Sequence, residues 1–362
     1  MTPPRAFVAL AVILTTIGSG SVAPRAQSAA KPRVYVLSTG GTISGKGASS
    51  TSLAEYQSGA LKGEDLVAAV PEIANVAEVR VEQIANVSST DITLAHWLTL
   101  ANRINTIFES DPAAAGVVIT HGTNTLEETA YFLNLTVKHD KPVVLVGSMR
   151  PASAISADGP LNLLNAIRTA VSKDAVGKGV LVALNDEING ARDVTKTNTY
   201  RVETFKSTEL GMLGYVDADR VAFYRSSTKR HTSRSEFDVR GRTSLPPVEI
   251  LYSYVQPSTV LLQALVRAGT EGIVFAGTGA GLVSTAERAS VKPLLDLRAA
   301  TRPVLVRSSR VGNGRVVALA EYDALGMIPA DTLTPQKARV LLMLALTKTR
   351  DLAEIRRMFA EY

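Results

Sequence analysis

Short apolar runs rich in β-branched residues recur along the chain at 34–37 (VYVL), 116–120 (GVVIT), 143–146 (VVLV) and 180–184 (VLVAL). Runs this short and this apolar read as strands buried on both faces. Between them lie stretches with helical spacing. In the clearest, Leu126, Ala130, Leu133 and Val137 mark one face, and Thr125 with Glu128 has the T-x-x-E form of a capping box. Asp158-Gly159-Pro160 begins another helix, with Asp158 as N-cap and proline in the first turn. The alternation predicts an α/β fold built on a mostly parallel sheet.

A more polar, irregular stretch covers 211–247 and ends in Leu245-Pro246-Pro247. Beyond it the pattern resumes: a strand at 248–255, a helix at 259–268, strands at 272–276 and 304–306, and an amphipathic helix at 335–346. The chain of 362 residues divides into a leader (1–30), an N-terminal domain (31–210), a linking region (211–247) and a C-terminal domain (248–362). The leader carries Arg5, an apolar run at 6–17 and small residues ending in Ser28-Ala29-Ala30. This is the pattern of a secretory signal peptide cut near Ala30. The run is too short to span a bilayer comfortably, which disfavours a membrane anchor. Export and a periplasmic or secreted mature protein are expected.

Composition narrows the chemistry. Apolar residues make up 46% of the chain and charged residues 20%, values of an ordinary globular protein. There is no cysteine, so disulfides, thiol catalysis and cysteine-ligated metals are excluded. The net charge is +6, and removal of Arg5 and Arg25 with the leader leaves +4. The one basic cluster, Lys229-Arg230-His231 with Arg234, reads as a solvated loop rather than a nucleic-acid patch. His96, His121, His139 and His231 lie too far apart to suggest a metal centre. Phosphate loops, HExxH pairs and G-x-S-x-G elbows are missing. Gly277-x-Gly279-x-Gly281 reads as a tight turn better than as a dinucleotide loop.

Two strand ends carry the chemistry. Thr39-Gly40-Gly41-Thr42-Ile43 follows the first apolar run, and His121-Gly122-Thr123-Asn124-Thr125 follows the second. Open α/β sheets bind ligands at the carboxyl ends of their strands, so both turns face the expected site. A threonine hydroxyl becomes a nucleophile only when a base takes its proton. Lys196, in Asp193-Val194-Thr195-Lys196-Thr197-Asn198, stands among small polar residues where desolvation can make it that base. Taken alone, it reads more readily as a surface lysine, and Thr42 as a turn residue. Tyr56 lies in a polar stretch at 52–63 with the composition of a lid. Ser88-Ser89-Thr90-Asp91 reads first as a cap for the helix around Trp97 and Leu100, and secondly as a carboxylate-binding turn.

These segments, with Leu126-Glu127-Glu128-Thr129-Ala130-Tyr131, Met149-Arg150-Pro151, Ser156-Ala157-Asp158-Gly159-Pro160 and Arg307-Ser308-Ser309-Arg310, resemble the bacterial L-asparaginases, specifically the exported type II branch. The resemblance runs from about Arg33 to Tyr362. It implies a larger N-terminal α/β domain, a smaller Rossmann-like C-terminal one, no metal or cofactor, and hydrolysis of L-asparagine to L-aspartate and ammonia. It also implies a homotetramer, a dimer of dimers whose active sites are shared between subunits. By the same resemblance Thr42 is the nucleophile that carries a β-aspartyl ester, and Tyr56 is the lid tyrosine that helps activate it. Thr123 and Lys196 form a second catalytic cluster. Ser89 and Thr90 belong with Thr123 and Asn124 to the substrate-binding set, Ser89 holding the α-carboxylate. Glu321 comes from a neighbouring subunit to the substrate ammonium.

Three positions depart from the pattern. Asn124 stands where the family has aspartate, Thr90 where many members have Gln or Glu, and Leu282 where some have Asn or Ser. The thinned polar network implies that glutamine is a poor substrate. A glutaminase–asparaginase of the same fold, a periplasmic amino-acid-binding protein and a pseudoenzyme weakened by Asn124 are the competing expectations.

Overall fold

Two sheets, one wide and one narrow, organise the chain in the computed structural model. It describes residues 30–362, together with 1–4 and 6. Apart from Ala6, the leader's apolar run lies outside the described residues. Among those described, no helix is long and apolar enough to cross a membrane.

The wide sheet has eight strands, in the order Val221–Phe223, Gly214–Val216, Glu187–Gly190, Val180–Leu184, Val143–Val146, Ala114–Thr120, Arg33–Gly40 and Glu78–Val87. The last five run parallel. The first three add on antiparallel. Two of these antiparallel strands come from the stretch whose polarity suggested only irregular chain. Successive side chains of Arg33–Gly40 point to opposite faces. Val34 and Val36 join a core with the helix Gly159–Val171, while Tyr35 and Leu37 join one with Leu94–Ser110 and Leu126–Thr136. A strand covered on both sides has no polar face, and this is why these segments read as unbroken apolar runs.

Topology places the site. Arg33–Gly40 pairs on one side with Glu78–Val87 and on the other with Ala114–Thr120. The chain therefore reverses its direction of travel across the sheet at that strand. Neighbouring connections lead away to opposite sides there and leave a crevice at the carboxyl ends. The Thr39–Ile43 and His121–Thr125 turns both flank it.

The narrow sheet is parallel, with Val248–Tyr252, Gly272–Gly277, Val304–Ser309 and Met327–Pro329 in chain order. The helix Pro335–Leu346 lies between the sheets. Its residues Val340 to Ala345 are all fully buried, so its second half is apolar on every side rather than amphipathic as the spacing predicted. It shares one core with Phe132 and Leu133 of the wide-sheet side and Val274 and Val306 of the narrow sheet. Lys31–Tyr362 is thus a single compact unit.

The basic cluster does not form a solvated loop. Lys229 donates to the Ala360 carbonyl at 2.6 Å, Arg230 pairs with Glu361 at 2.8 Å, and His231 is buried. The cluster holds down the C-terminal helix Leu352–Glu361. The 277–281 glycines form a tight turn closed by the Thr278–Leu282 bridge.

Candidate active site

The two threonine turns touch through their glycines. Gly41 has φ +84°, and a Cβ built on it would lie 2.2 Å from the Gly122 Cα. Both the dihedral and the close approach require glycine. Thr39 Oγ1 donates to the Thr120 carbonyl at 2.9 Å and ties the two strand ends together just below.

Each turn presents one hydroxyl paired with one polar partner. Thr42 opens a short 3-10 turn, Thr42–Ser44, and its Oγ1 lies 2.7 Å from the Tyr56 hydroxyl. Tyr56 arrives on the strand Tyr56–Gln57, which pairs antiparallel with Lys46–Gly47. Lys196, on the strand Thr195–Lys196, places its Nζ 2.9 Å from Thr123 Oγ1 and donates to Asn124 Oδ1 at 3.2 Å. Burial lowers the Lys196 ammonium's pKa below the usual lysine value, and Glu127 partly opposes that shift. A lysine so placed can hold or release a proton more readily than an exposed one.

Both pairs open on one cleft of about 500 Å³. Thr42, Tyr56, Thr123, Asn124 and Lys196 line it, joined by Leu53, Ala54, Met149 and 197–200. The volume suits a small polar ligand. Sequence reasoning missed Met149 and Tyr200 as wall residues. Their signal was position alone, since Tyr200 follows Lys196 closely and Met149 follows a sheet strand.

Several expected caps instead brace this cleft. The Thr125 side chain does not cap its helix; its Oγ1 donates to the Ser89 carbonyl at 2.7 Å. Asp158 does not cap either; its carboxylate accepts from the Met149 and Arg150 amides, each at 2.9 Å. Ser89 is buried and its hydroxyl accepts from the Asn124 amide at 3.1 Å. The helix around Trp97 is capped by Thr93. In each case a short polar side chain next to the sheet's carboxyl edge found a loop amide or carbonyl instead of its own helix.

His121 anchors the second turn from inside. Trp97 Nε1 donates to Thr129 Oγ1 at 2.8 Å, which turns the Thr129 proton toward His121 Nε2 at 3.0 Å. The imidazole proton therefore sits on Nδ1 and is donated to the Gly122 carbonyl at 2.7 Å. Full burial pushes the His121 pKa down to about 4, so the ring is neutral here.

Ser89 stands behind Asn124 rather than in the cleft wall, and two further expected residues stand apart from the cleft. Thr90 is exposed, its Oγ1 donating to Ser88 at 2.9 Å. Glu321, in the short helix Ala320–Asp323, pairs with Arg288 at 2.7 Å and is outside the cleft walls of its own chain. Among the described residues no group of three or more metal-binding side chains gathers.

A strand-end crevice with paired hydroxyls and a half-buried lysine has the groups that nucleophilic hydrolysis in an α/β enzyme requires. Comparison agrees with it. Residues 33–229 match the family described as Asparaginase, N-terminal, and 247–359 match the Glutaminase/Asparaginase C-terminal domain. The chain is 50% identical to L-asparaginase 2 of Bacillus subtilis (strain 168) over 91% of its own length and 87% of that protein's. It is 48% identical to a glutaminase-asparaginase of Pseudomonas fluorescens biotype A, covering 91% and 90% of the two chains. The crystal structure of a probable cytoplasmic L-asparaginase from Campylobacter jejuni superposes with a TM-score of 0.88, at 49% identity, over 92% of this chain and all of that one. The chain belongs to the asparaginase family.

Proposed function

We propose that this protein is an L-asparaginase, hydrolysing L-asparagine to L-aspartate and ammonia through an ester on Thr42. One observation carries the reading: the Thr42–Tyr56 pair at 2.7 Å and the Thr123–Lys196 pair at 2.9 Å face the same small cleft. Thr42 Oγ1 attacks the side-chain carboxamide carbon, its proton leaving by way of Tyr56. Backbone N–H groups of the Gly122–Thr123 turn are the natural donors to the developing oxyanion. The C–N bond breaks, the departing nitrogen gains a proton, and ammonia leaves a β-aspartyl ester. Water then attacks the ester, with Lys196 and Thr123 moving the proton, and aspartate is released.

In the same reading Ser89 holds the substrate's α-carboxylate and Asn124 Oδ1 accepts from its ammonium, while Thr90 acts from outside the cleft walls through its hydrogen bond to Ser88. Remote anchoring of this kind fixes the reacting carbon. Glu321 reaches a site from a second copy of the chain, in a homotetramer. Exposed Tyr252, Tyr254, Val255, Val260 and Leu261 on the narrow-sheet side supply apolar surface for such a partner. The N-terminal domain of this reading takes in the edge strands Gly214–Val216 and Val221–Phe223 as well as 31–210, and the C-terminal domain runs from about 248 to 362. The leader directs export, and the mature protein works outside the cytoplasm.

The 48% identity to a glutaminase-asparaginase favours a second reading, broader specificity at the same site. Ammonia release from asparagine and glutamine, measured side by side on the purified protein, separates the two. We expect kcat/KM to favour asparagine strongly; comparable values would establish the broader enzyme. Acyl-enzyme trapped by acid quench and mapped by mass spectrometry should carry its label on Thr42. Label on another residue would end this account.

A further inference from the structure

Behind the cleft lies a lysine that the reaction does not use. Lys337, on the helix Pro335–Leu346, is 1% exposed. Its Nζ donates to the Arg192 carbonyl at 2.8 Å and to the Val194 carbonyl, two residues before Lys196. The same ammonium lies 4.0 Å from Glu127 Oε2, and Gln336 donates to Glu127 Oε1 at 3.3 Å. Glu127 is buried in the first turn of Leu126–Thr136, four residues after Thr123. Its Oε2 has no hydrogen-bond partner, so the Lys337 charge is what compensates it. One ammonium thus bridges the segment that carries Lys196 and the helix that backs Thr123.

We propose that Lys337 is a positioning residue, clamping the Lys196 strand against the Thr123 turn so that the two side chains meet. The proposal rests on the proton-transfer role assigned above to Lys196 and Thr123. A buried cation is costly unless hydrogen-bonded and paired, and this one has both kinds of partner. The charged groups facing Lys337 are Glu127, Asp193, Arg192 and Glu128, and burial pushes its pKa down to about 8. The charge acting on Lys196 is Glu127, which favours its protonated form. Lys337 therefore sets both the distance between the catalytic pair and the net field at the lysine.

The test is steady-state kinetics across pH on the full-length assembled enzyme. Lys337→Met should lower kcat about 100-fold with KM within about threefold, since displacement by about an ångström is costly. It should also move the acidic limb of the kcat profile to higher pH, because Glu127 is left uncompensated beside Lys196. Glu127→Gln should move that limb the opposite way. The double variant should return the limb toward the parent while kcat stays low. Folded Lys337→Met with kcat within about threefold of the parent overturns the proposal. If Lys337→Met does not fold, Glu127→Gln decides: a limb that stays in place overturns it. Lys196→Met separates the two levels. An active Lys196→Met sinks the assigned reaction, whereas an inactive one beside a normal Lys337→Met sinks only the clamp.

Discussion

The two hydroxyl pairs of the cleft are alike in chemistry and unlike in support. Tyr56 reaches Thr42 from a hairpin of two-residue strands, Tyr56–Gln57 and Lys46–Gly47, whose connecting residues are mostly exposed. Lys196 reaches Thr123 from a strand with a buried lysine and a buried glutamate at its back. Segments with few buried contacts open at low cost, and tightly packed ones do not. The difference puts the more easily moved support behind the Thr42–Tyr56 pair and the more rigid one behind the Thr123–Lys196 pair.

That contrast can be broken by substitution. Thr42→Ala should give the largest effect, a fall in kcat of about four orders of magnitude with assembly and thermal midpoint unchanged. Lys196→Met should follow with a loss of about 10³-fold in kcat and little change in KM, as expected for proton transfer at a rigid end. Tyr56→Phe should cost about 10²-fold and, unlike Lys196→Met, raise KM as well, since the lost hydroxyl both takes the Thr42 proton and ties the hairpin down over Thr42. If the two variants changed kcat and KM in the same proportions, the difference in support would have no catalytic meaning.

Asn124→Asp gives the smallest effect and sharpens the picture. A carboxylate here would strengthen the contact to a substrate ammonium and lower KM about tenfold, the worth of a charge-assisted bond over a neutral one. It would also sit against Lys196, where Asn124 Oδ1 now accepts at 3.2 Å. Burial holds the Lys196 pKa low. A new anion raises it, so the acidic limb of kcat must move to higher pH. A profile that does not move would place the titrating group elsewhere.

Much of this is legible in the amino-acid sequence. The strands are sandwiched between helices, and double burial writes itself as apolar runs. The two glycine turns stand out because each follows a buried strand and carries hydroxyls, and their mutual contact is visible only in the fold. Thr42, Thr123 and Lys196 were visible as residue types capable of the chemistry, and the cleft brings all three together. The caps were read less well. Thr125 and Asp158 have the spacing of helix caps, yet nearby loops offered unsatisfied amides and carbonyls that local spacing cannot reveal. Lys337 left no signal at all. A lone lysine in a helix reads as its solvent face, and only the sandwiching of that helix between two sheets turns the charge inward. The short strands Gly214–Val216 and Val221–Phe223 were hidden for a related reason. They add to an edge, where one side stays polar and the pattern fades.

The contact of Gly41 with Gly122 has a wider implication. The gap between Thr42 and Thr123 is set by two absent side chains, one in each turn. A methyl group at Gly41 would drive into the Gly122 backbone and wedge the two turns apart, while one at Gly122 would strike the Ser89 side chain at 2.7 Å and press on the Gly41 Cα at 3.0 Å. Directed evolution of this enzyme thus has freedom in the hairpin and around Asn124, but none at this seam, where the smallest possible enlargement disturbs both halves of the chemistry at once.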